Sequence, residues 1–316
     1  MRLDLLIPTL RRPDLLERSL ESVAKVQRPQ RMEVGVIVIN NDTDPELRGV
    51  EAALAAMPFD TRVLHEPRPG KSAALNTAIA ASTADYLGFI DDDEELAPDW
   101  FRVVEDALTA GPVDYLGGRV LPPPGTKFPD WVPQGYPAVL GIADAGLEVQ
   151  PYGPAFPGML KGGNAVIAKA TLHAIGPYRT DLGPTAERRL FSCEDEDMYL
   201  RLVRAGARGR YLPNLVVYHH VHPERLRKNY HRAWAFWQGA SKGVLGRSHR
   251  TSLPEIAGVP RYAYGTAARG LLRWIRLTLS RGPTDARMAA ELPVWNLVGR
   301  LYGRHIRGRW SGRSRA

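Results

Sequence analysis

Five acidic residues in a row, Asp91 to Glu95, follow a short apolar stretch and are the strongest chemical feature of the sequence. Several carboxylates at the end of a strand repel one another unless they are paired or bind a hard cation. A Mg²⁺ or Mn²⁺ ion held there would keep coordination positions open for the oxygens of a diphosphate. The alternative is a solvated acidic turn before a helix, in which Asp93 or Glu94 complements the helix N-terminus. The run alone does not decide between the two.

A second acidic group, Glu194-Asp195-Glu196-Asp197, opens a predicted helix whose next residues are apolar at helical spacing. One or two acids would be enough to complement the helix dipole, so four in the first turn indicate a further use for some of them. Ordinary helix capping remains the alternative.

Two weaker features carry cationic or metal-binding side chains. The segment Pro69-Gly70-Lys71-Ser72 precedes a predicted helix, so Lys71 and free backbone N–H groups could meet phosphate oxygens. It lacks the spacing of a full phosphate-binding loop, and a capped helix start is the alternative. His219, His220 and His222 end an apolar strand, where an imidazole could complete a metal shell or be an ordinary surface or core histidine.

The elements that must position these residues alternate between strand and helix over the first 120 residues. Helices are predicted to start at Pro13, at Asp44-Pro45-Glu46 and at Ser72. The predicted strands are apolar runs, and they cover Leu3–Ile7, Val34–Ile39, Thr61–Leu64 and Tyr86–Ile90. This alternation predicts an α/β fold with a doubly wound, mostly parallel sheet and helices on both faces.

The carboxyl ends of such strands form the usual ligand-binding edge of the sheet. Thr9, Asn41 and Asp91 all follow predicted strand ends, so one crevice could collect them. The middle of the chain differs, because residues 122–160 are rich in Pro and Gly and include Trp131 and Tyr136. A long irregular segment inside a compact domain is commonly a functional loop. From Pro223 to about Leu245 the pattern is helical again.

Composition and charge exclude several classes of protein. With 316 residues, 44% of them hydrophobic and 24% charged, the chain is globular rather than disordered or fibrous. Its one cysteine, Cys193, excludes a disulfide framework and a Cys-rich zinc site. Without a long apolar run or a signal peptide at the start, the sequence predicts a cytoplasmic protein with no spanning helix.

The positive charge is confined to the end of the chain. Residues 261–316 contain twelve Arg and two acids, a net charge of +10, so the preceding residues carry −2 of the total of +8. The body is therefore not a nucleic-acid binder by charge. The Arg residues alternate with aromatic residues and Leu, which suits a helix at a membrane interface. Helices that pack on the catalytic domain or on a second copy of the chain are the alternative.

Five segments of the chain resemble motifs of the family 2 glycosyltransferases and occur in the order typical of that family. Each motif is loose, but together they are specific, and the similarity covers about residues 3–240. The segments are Leu6–Pro13, Val38–Asp44, Pro69–Asn76, Phe89–Asp93 and Cys193–Leu202. The resemblance implies the GT-A fold and an inverting transfer of a sugar from a nucleoside diphosphate sugar to an acceptor hydroxyl.

The resemblance also implies roles for individual residues. Asp195 would be the catalytic base that takes the proton of the acceptor hydroxyl. The residues implied in donor binding are Pro8, Thr9, Arg11, Asn41, Lys71, Asp91 and Asp92. Those implied in holding Mg²⁺ or Mn²⁺ are Asp91, Asp93 and His219. Those implied in acceptor binding are Gly163, Asn164, Glu194 and Trp131.

The chain departs from the family pattern at several of these motifs. Asn40 and Asn41 stand where many members have Asp, which leaves the nucleotide base open. Arg11 replaces a frequent aromatic residue, so stacking on the base would need another partner. Cys193 stands where Gly is common before the Glu-Asp pair.

We expect a catalytic domain over residues 1–225, with a nucleotide-sugar half (1–95) and an acceptor half (96–225), and a helical Arg-rich extension over 226–316. The loop 122–160 is expected to govern acceptor choice. The acceptor could be a glycan, a lipid-linked compound or a small molecule, in cell-surface polysaccharide, glycolipid or natural-product glycosylation. The extension could attach the protein to the inner face of the membrane or support a homo-oligomer.

Two other functions stay open at this stage. A nucleotidyltransferase also carries metal-binding carboxylates at strand ends, but it would usually show a Gly-rich basic loop after its first strand, where this chain has Thr9–Pro13. A non-catalytic module with the same fold could recruit partners through the basic tail. The presence of two acidic clusters argues against this second alternative.

Overall fold

A computed structural model of the chain describes residues 1–133, 137–249 and 253–305. Tyr136 of the proline-rich loop and the last residues of the Arg-rich tail lie outside these ranges. The chain forms two compact units. The first comprises residues 1–124, 142–180 and 194–220, and the second comprises residues 125–141, 181–193 and those from 221 onward.

The first unit is built on a nine-stranded mixed sheet with the strand order β3-β2-β1-β4-β8-β6-β9-β5, and β7 pairs with β9. Six strands run in one direction, while β5, β7 and β8 are antiparallel to their neighbours. The strands are β1 (Arg2–Thr9), β2 (Glu33–Asn40), β3 (Asp60–His65), β4 (Tyr86–Phe89), β5 (Glu94–Leu96), β6 (Tyr115–Leu121), β7 (Gln150–Pro151), β8 (Ala165–Ala168) and β9 (Gly209–His219).

Helices cover both faces of this sheet, so the predicted α/β fold is confirmed. Alternate residues of the central strands point to opposite faces and feed two separate apolar cores. One core joins the sheet to the helices Pro13–Lys25 and Trp100–Thr109, and the other joins it to the helices Lys71–Ala81 and Glu194–Arg204. The helices are α1 (Pro13–Lys25), α2 (Glu51–Ala55), α3 (Lys71–Ala81), α4 (Trp100–Thr109), α5 (Lys169–Ile175) and α6 (Glu194–Arg204).

The helix predicted to start at Asp44-Pro45-Glu46 is wrong, because the helix in this region begins only at Glu51. The carboxylate of Asp44 accepts a hydrogen bond from the backbone N–H of Glu46 at 3.0 Å, and its carbonyl accepts one from the Asn40 side chain at 2.9 Å. An Asp that bonds the backbone two residues ahead forms a turn instead of a helix N-terminus.

The second unit is mainly helical, as predicted for the end of the chain. A two-stranded hairpin, β10 (Glu255–Ile256) and β11 (Val259–Pro260), precedes the last two helices. The long helices are α7 (Lys228–Leu245), α8 (Arg261–Leu279) and α9 (Thr284–His305). Among the described helices of the chain, none is both long and apolar enough to cross a membrane.

Glycines allow α7 and α9 to approach closely. Gly239 and Gly243 on α7 face backbone atoms of α9, and Gly299 and Gly303 on α9 face backbone atoms of α7. A Cβ atom placed on Gly299 would lie 1.9 Å from the carbonyl oxygen of Phe236. The two helices therefore pack backbone to backbone, and any side chain at these positions would separate them.

We expect Gly299→Ala to lower the thermal midpoint of unfolding, with a loss of about 1–3 kcal/mol typical of overpacking. Gly265→Ala on α8 is the matched control, because its added Cβ would lie 3.3 Å from the flexible end of Arg269 and would meet no backbone. Alanine in a helix is more stable than glycine by about 1 kcal/mol, so the control should be neutral or stabilising. Equal midpoints for both variants would contradict the close packing of α7 and α9.

Candidate functional site

The acidic run lies beside the end of β1, the strand that pairs with β4. The hydroxyl of Thr9 donates a hydrogen bond to Asp92 Oδ2 at 2.8 Å. Asp92 and Asp93 are only 5% and 8% exposed, and the next residues form β5 and not a helix. The interpretation of the run as a solvated turn before a helix is therefore wrong. Burial, together with the charge of Asp93, raises the pKa of Asp92 to about 6.

Two cations pair with the three aspartates of the run. Arg12 Nη1 lies 3.2 Å from Asp92 Oδ1 and 3.3 Å from Asp93 Oδ2. Lys71 Nζ forms an ion pair with Asp91 Oδ1. Burial would lower the pKa of Lys71, but the charges of Asp91, Asp195 and Glu194 raise it well above its ordinary value. Lys71 therefore stays protonated at neutral pH, between the two acidic clusters of the sequence.

Asn41 fixes the loop that leads to Lys71. Its side-chain amide donates to the carbonyl oxygens of Glu66 at 2.7 Å and Arg68 at 2.8 Å, and its Oδ1 accepts the N–H of Gly70 at 2.9 Å. Gly70 has φ 122°, a backbone conformation that favours glycine, and α3 starts at the next residue. The side chain of Asn41 thus holds the loop, and through the loop it positions Lys71.

We expect Asn41→Ala to lower the free energy of unfolding by about 1–3 kcal/mol, because it leaves buried backbone groups without partners. It should also weaken donor binding by releasing Lys71. Asn229→Ala is the control, since Asn229 is exposed and its side-chain oxygen accepts a hydrogen bond from Arg232. Thermal unfolding and donor titration of both variants check this. Wild-type stability and affinity in Asn41→Ala would contradict the positioning role.

A pair of glycines brings the backbone between two carboxylates. The N–H of Gly162 donates to Asp195 Oδ2 at 3.0 Å, and a Cβ on Gly162 would lie 2.2 Å from Asp195 Oδ1. A Cβ on Gly163 would lie 2.3 Å from Glu94 Oε1. Larger residues at either position would therefore push the carboxylates away.

Glu94 was not among the predicted site residues, although it lies inside the acidic run. It is buried, and its Oε2 accepts the backbone N–H of Asp91 at 2.8 Å. Burial, and then the charge of Asp91, raise its pKa well above the ordinary value. Glu94 thus links the acidic run to the Gly162-Gly163 turn. Arg12 was also missed, because a basic residue after a strand carries no signal of which acids it will pair with.

The start of α6 holds the second acidic cluster. Cys193 just before it has φ 78°, a left-handed conformation that explains why glycine is common at this position. Glu194 is buried, and burial together with the charge of Asp195 raises its pKa to about 8. Within the described residues, Asp195 Oδ1 and Glu194 Oε2 are buried and have no hydrogen-bond partner. Such atoms mark a place where a ligand hydroxyl could donate.

Asp197, in the same helix turn, is already paired with arginines. The carboxylate of Asp197 is 2.8 Å from Arg201 Nε and 3.4 Å from Arg179 Nη1. Asp197 therefore has a structural role in the first unit, whereas Glu194 and Asp195 point their carboxylates toward the surroundings of Lys71.

His219, at the end of β9, lies beside Asp93 of the acidic run. It is buried, and its Nε2 lies 3.6 Å from Asp93 Oδ2. Its Nδ1 has no hydrogen-bond partner in the part of the chain that the structure describes. His220 is instead engaged with Glu95 at 2.5 Å, and His222 accepts a hydrogen bond from the N–H of Glu224 at 3.4 Å.

These residues fit a divalent cation in part. Within the described ranges, no three acidic, His or Cys side chains are arranged to hold a metal ion. Magnesium sites for nucleotides, however, commonly use only one or two carboxylates and take further oxygens from substrate phosphates and water. The oxygen donors Asp91 and Asp93, together with the buried imidazole of His219, whose Nδ1 has no hydrogen-bond partner among the described residues, would supply such a partial shell.

Other predicted site residues make contacts of their own. The side chain of Asn164 is fully buried and accepts from Trp100 Nε1 at 2.9 Å, while its amide donates to two carbonyl oxygens at 2.9 Å. Arg11 makes a two-pronged pair with Asp42 at 2.6 and 2.7 Å at the surface. Trp131 belongs to the second unit, where its ring packs edge-on against His231. Pro8 is buried within β1.

Comparison with known proteins identifies related sequences over most of the chain. The model of the family described as "Glycosyl transferase family 2" matches residues 4–167. The succinoglycan biosynthesis protein ExoM of Rhizobium meliloti is 31% identical over 273 residues, which are 85% of this chain and 81% of that protein. The pre-mycofactocin glycosyltransferase of Mycobacterium tuberculosis is 26% identical over 250 residues, and the match spans 48% of its length.

Solved structures share the fold. The mannosyltransferase PcManGT from Pyrobaculum calidifontis, in complex with GDP-Man and Mn²⁺, superposes with a TM-score of 0.62 at 17% identity. The match covers 97% of this chain and 88% of that one. The predicted GT-A type of α/β fold is thereby confirmed.

Proposed function

The chain belongs to glycosyltransferase family 2 and is a glycosyltransferase, and from this premise we propose that it moves a sugar from a nucleoside diphosphate sugar to an acceptor hydroxyl with inversion. The observation that carries the proposal is the arrangement of two acidic clusters around one partly buried lysine, Lys71. A non-catalytic module and a nucleotidyltransferase are set aside by the family. Catalysis is assigned to residues 1–225, with the donor half over 1–95.

On the donor side, we assign binding to the edge of the sheet formed by Thr9, Asp91 and Asp92, with Lys71 as the cation closest to them. The donor diphosphate is an anion, and its charge grows as the bond to the sugar breaks. Lys71, held protonated by its acidic neighbours, can offset part of that charge. A divalent cation bound by Asp91, Asp93 and His219 would supply the rest of the positive charge when present.

Arg12 supplies a counter-charge to the acidic run. Its guanidinium lies where it neutralises Asp92 and Asp93, which are buried. A buried carboxylate without a counter-charge is costly. Arg12 therefore acts as a counter-ion that a cation could replace, and its own side chain is 40% exposed.

On the acceptor side, Asp195 is the base. The N–H of Gly162 holds its Oδ2, while its buried Oδ1 makes no hydrogen bond within the described residues. An acceptor hydroxyl could donate to that oxygen and lose its proton as it attacks the sugar. With one carboxylate as base and none needed as nucleophile, the displacement takes place in a single step and inverts the anomeric centre.

The relatives point to substrates to try first. One relative acts in succinoglycan biosynthesis by its name, which favours a growing glycan as the acceptor among the classes considered above. The neighbour solved with GDP-Man and Mn²⁺ makes GDP-mannose a suitable first donor. Both choices are part of the proposal for this chain.

A thermal-shift panel of UDP-, GDP- and dTDP-sugars, each with and without Mn²⁺, tests the donor site. A ligand that binds only the folded state raises the free energy of unfolding, by about 2.7 kcal/mol when its concentration is one hundred times Kd. The thermal midpoint rises with it. We expect one nucleotide series to stabilise the protein, and to do so more strongly with Mn²⁺. No shift with any nucleotide sugar at saturating concentration would overturn the assignment of the donor site.

A further inference from the structure

Helix α8 has small residues at its fully buried positions and exposes four large apolar residues, unlike an ordinary amphipathic helix. Its buried residues are Ala263, Ala267 and Gly270. Four large apolar residues are 45%, 68%, 42% and 81% exposed, and they are Leu271, Leu272, Ile275 and Leu279. With about 3.6 residues per turn, the last three of these share one stripe of the helix surface opposite the buried side. An apolar stripe of this kind indicates a surface that another body covers.

Arginines flank the stripe. Arg269, Arg273 and Arg276 follow one another along α8 at helical spacing, and all three are exposed. The sequence from 261 to the end carries twelve Arg, no Lys and two acids. We define the α8 outer face as the four apolar residues above together with these three arginines. It combines apolar and strongly cationic groups on one helix.

We propose that the α8 outer face docks on an anionic lipid surface. Such a surface places phosphate groups above apolar chains, so leucines can enter it while arginines beside them meet the phosphates. A second copy of the chain fits this face less well, because a symmetric contact would bring the same arginines together and like charges repel. The contact is made along the side of α8, where the exposed leucines and arginines lie.

Vesicle co-sedimentation of the full chain tests the proposal. The vesicles are phosphatidylcholine alone, or equal parts of phosphatidylcholine and phosphatidylglycerol. The full chain should bind the mixed vesicles and be released by salt, which screens exposed charges. Leu272→Ser combined with Leu279→Ser should lower the partition coefficient by about tenfold or more, because both side chains lose apolar contact. Arg273→Gln combined with Arg276→Gln should remove most of the preference for the mixed vesicles.

The matched control is Leu147→Ser combined with Val149→Ser, which changes two exposed apolar residues of the first unit, 76% and 59% accessible. It should bind the vesicles like the parent protein. Vesicle binding is compared only among variants whose thermal midpoint equals that of the parent. The proposal would be overturned if the α8 double variant and the Leu147→Ser, Val149→Ser control lost binding equally. It would also be overturned if the parent protein did not bind the mixed vesicles at low salt. Sedimentation velocity showing a dimer that Leu272→Ser with Leu279→Ser converts to a monomer would overturn it too, because the face would then belong to a second copy.

Discussion

Asp195→Asn is expected to lower kcat by about 10²–10⁴-fold, the usual contribution of a positioned general base. The amide keeps the shape of the carboxylate and can still accept the N–H of Gly162, but it cannot take a proton from the acceptor. The affinity for the donor should stay near that of the parent, since the base acts on the acceptor. Steady-state kinetics with donor titration by calorimetry measure both quantities.

Glu196→Gln is the control for this variant, because it removes a charge from the same turn of α6 at a partly exposed position. It should leave kcat within a few-fold of the parent. If Asp195→Asn loses donor affinity together with rate, Asp195 belongs to the donor or metal site, and its assignment as the base is wrong.

Asp93→Asn is expected to leave the fold intact and to abolish turnover. The side chain is buried beside His219 Nε2 at 3.6 Å, so it lies where a cation would need a charged oxygen. Its loss should weaken Mn²⁺ binding in the presence of nucleotide. The change in Mn²⁺ affinity is read by electron paramagnetic resonance of free Mn²⁺, independently of turnover.

Asp130→Asn, at an exposed position of the second unit, is the matched control and should bind Mn²⁺ like the parent. A parent protein that keeps full activity after exhaustive EDTA treatment would exclude the metal, whatever the variants do. Full Mn²⁺ affinity in Asp93→Asn would move the cation to other ligands.

The sequence predicts the order and type of the main elements because they follow from runs of apolar residues. Val34–Ile39 is a Val/Ile run interrupted only by Gly35, and it lies in an interior strand buried on both faces. The false helix start at Asp44 has a local cause, since the Asp44 side chain bonds the backbone of Glu46 and forms a turn. An Asp followed by Pro fits both a helix start and a turn, so the sequence pattern alone could not separate these two outcomes at Asp44.

The site is predictable only at the level of motifs. The acidic run and the Glu194-Asp195 pair are recognisable in the sequence, and the fold brings both close to Lys71. Which acids are buried, and which cation each one meets, depends on contacts between residues far apart in the chain. Arg12 and Asp93, for example, are separated by 81 positions. For the same reason Asn164, a plausible acceptor residue by motif, turns out to have its amide bonded inside the first unit.

The release of nucleoside diphosphate from a sugar nucleotide that stabilises the protein tests the central claim most directly. It is measured for the parent with Mn²⁺, after EDTA, and after Mn²⁺ is restored, and then for Asp93→Asn and Asp195→Asn with Mn²⁺. We predict that the parent releases nucleoside diphosphate, that EDTA stops the release and that Mn²⁺ restores it. Both variants should lose most of the release rate, and only Asp195→Asn should keep donor binding. Release that persists in EDTA, or that is undiminished in either variant, would contradict the account.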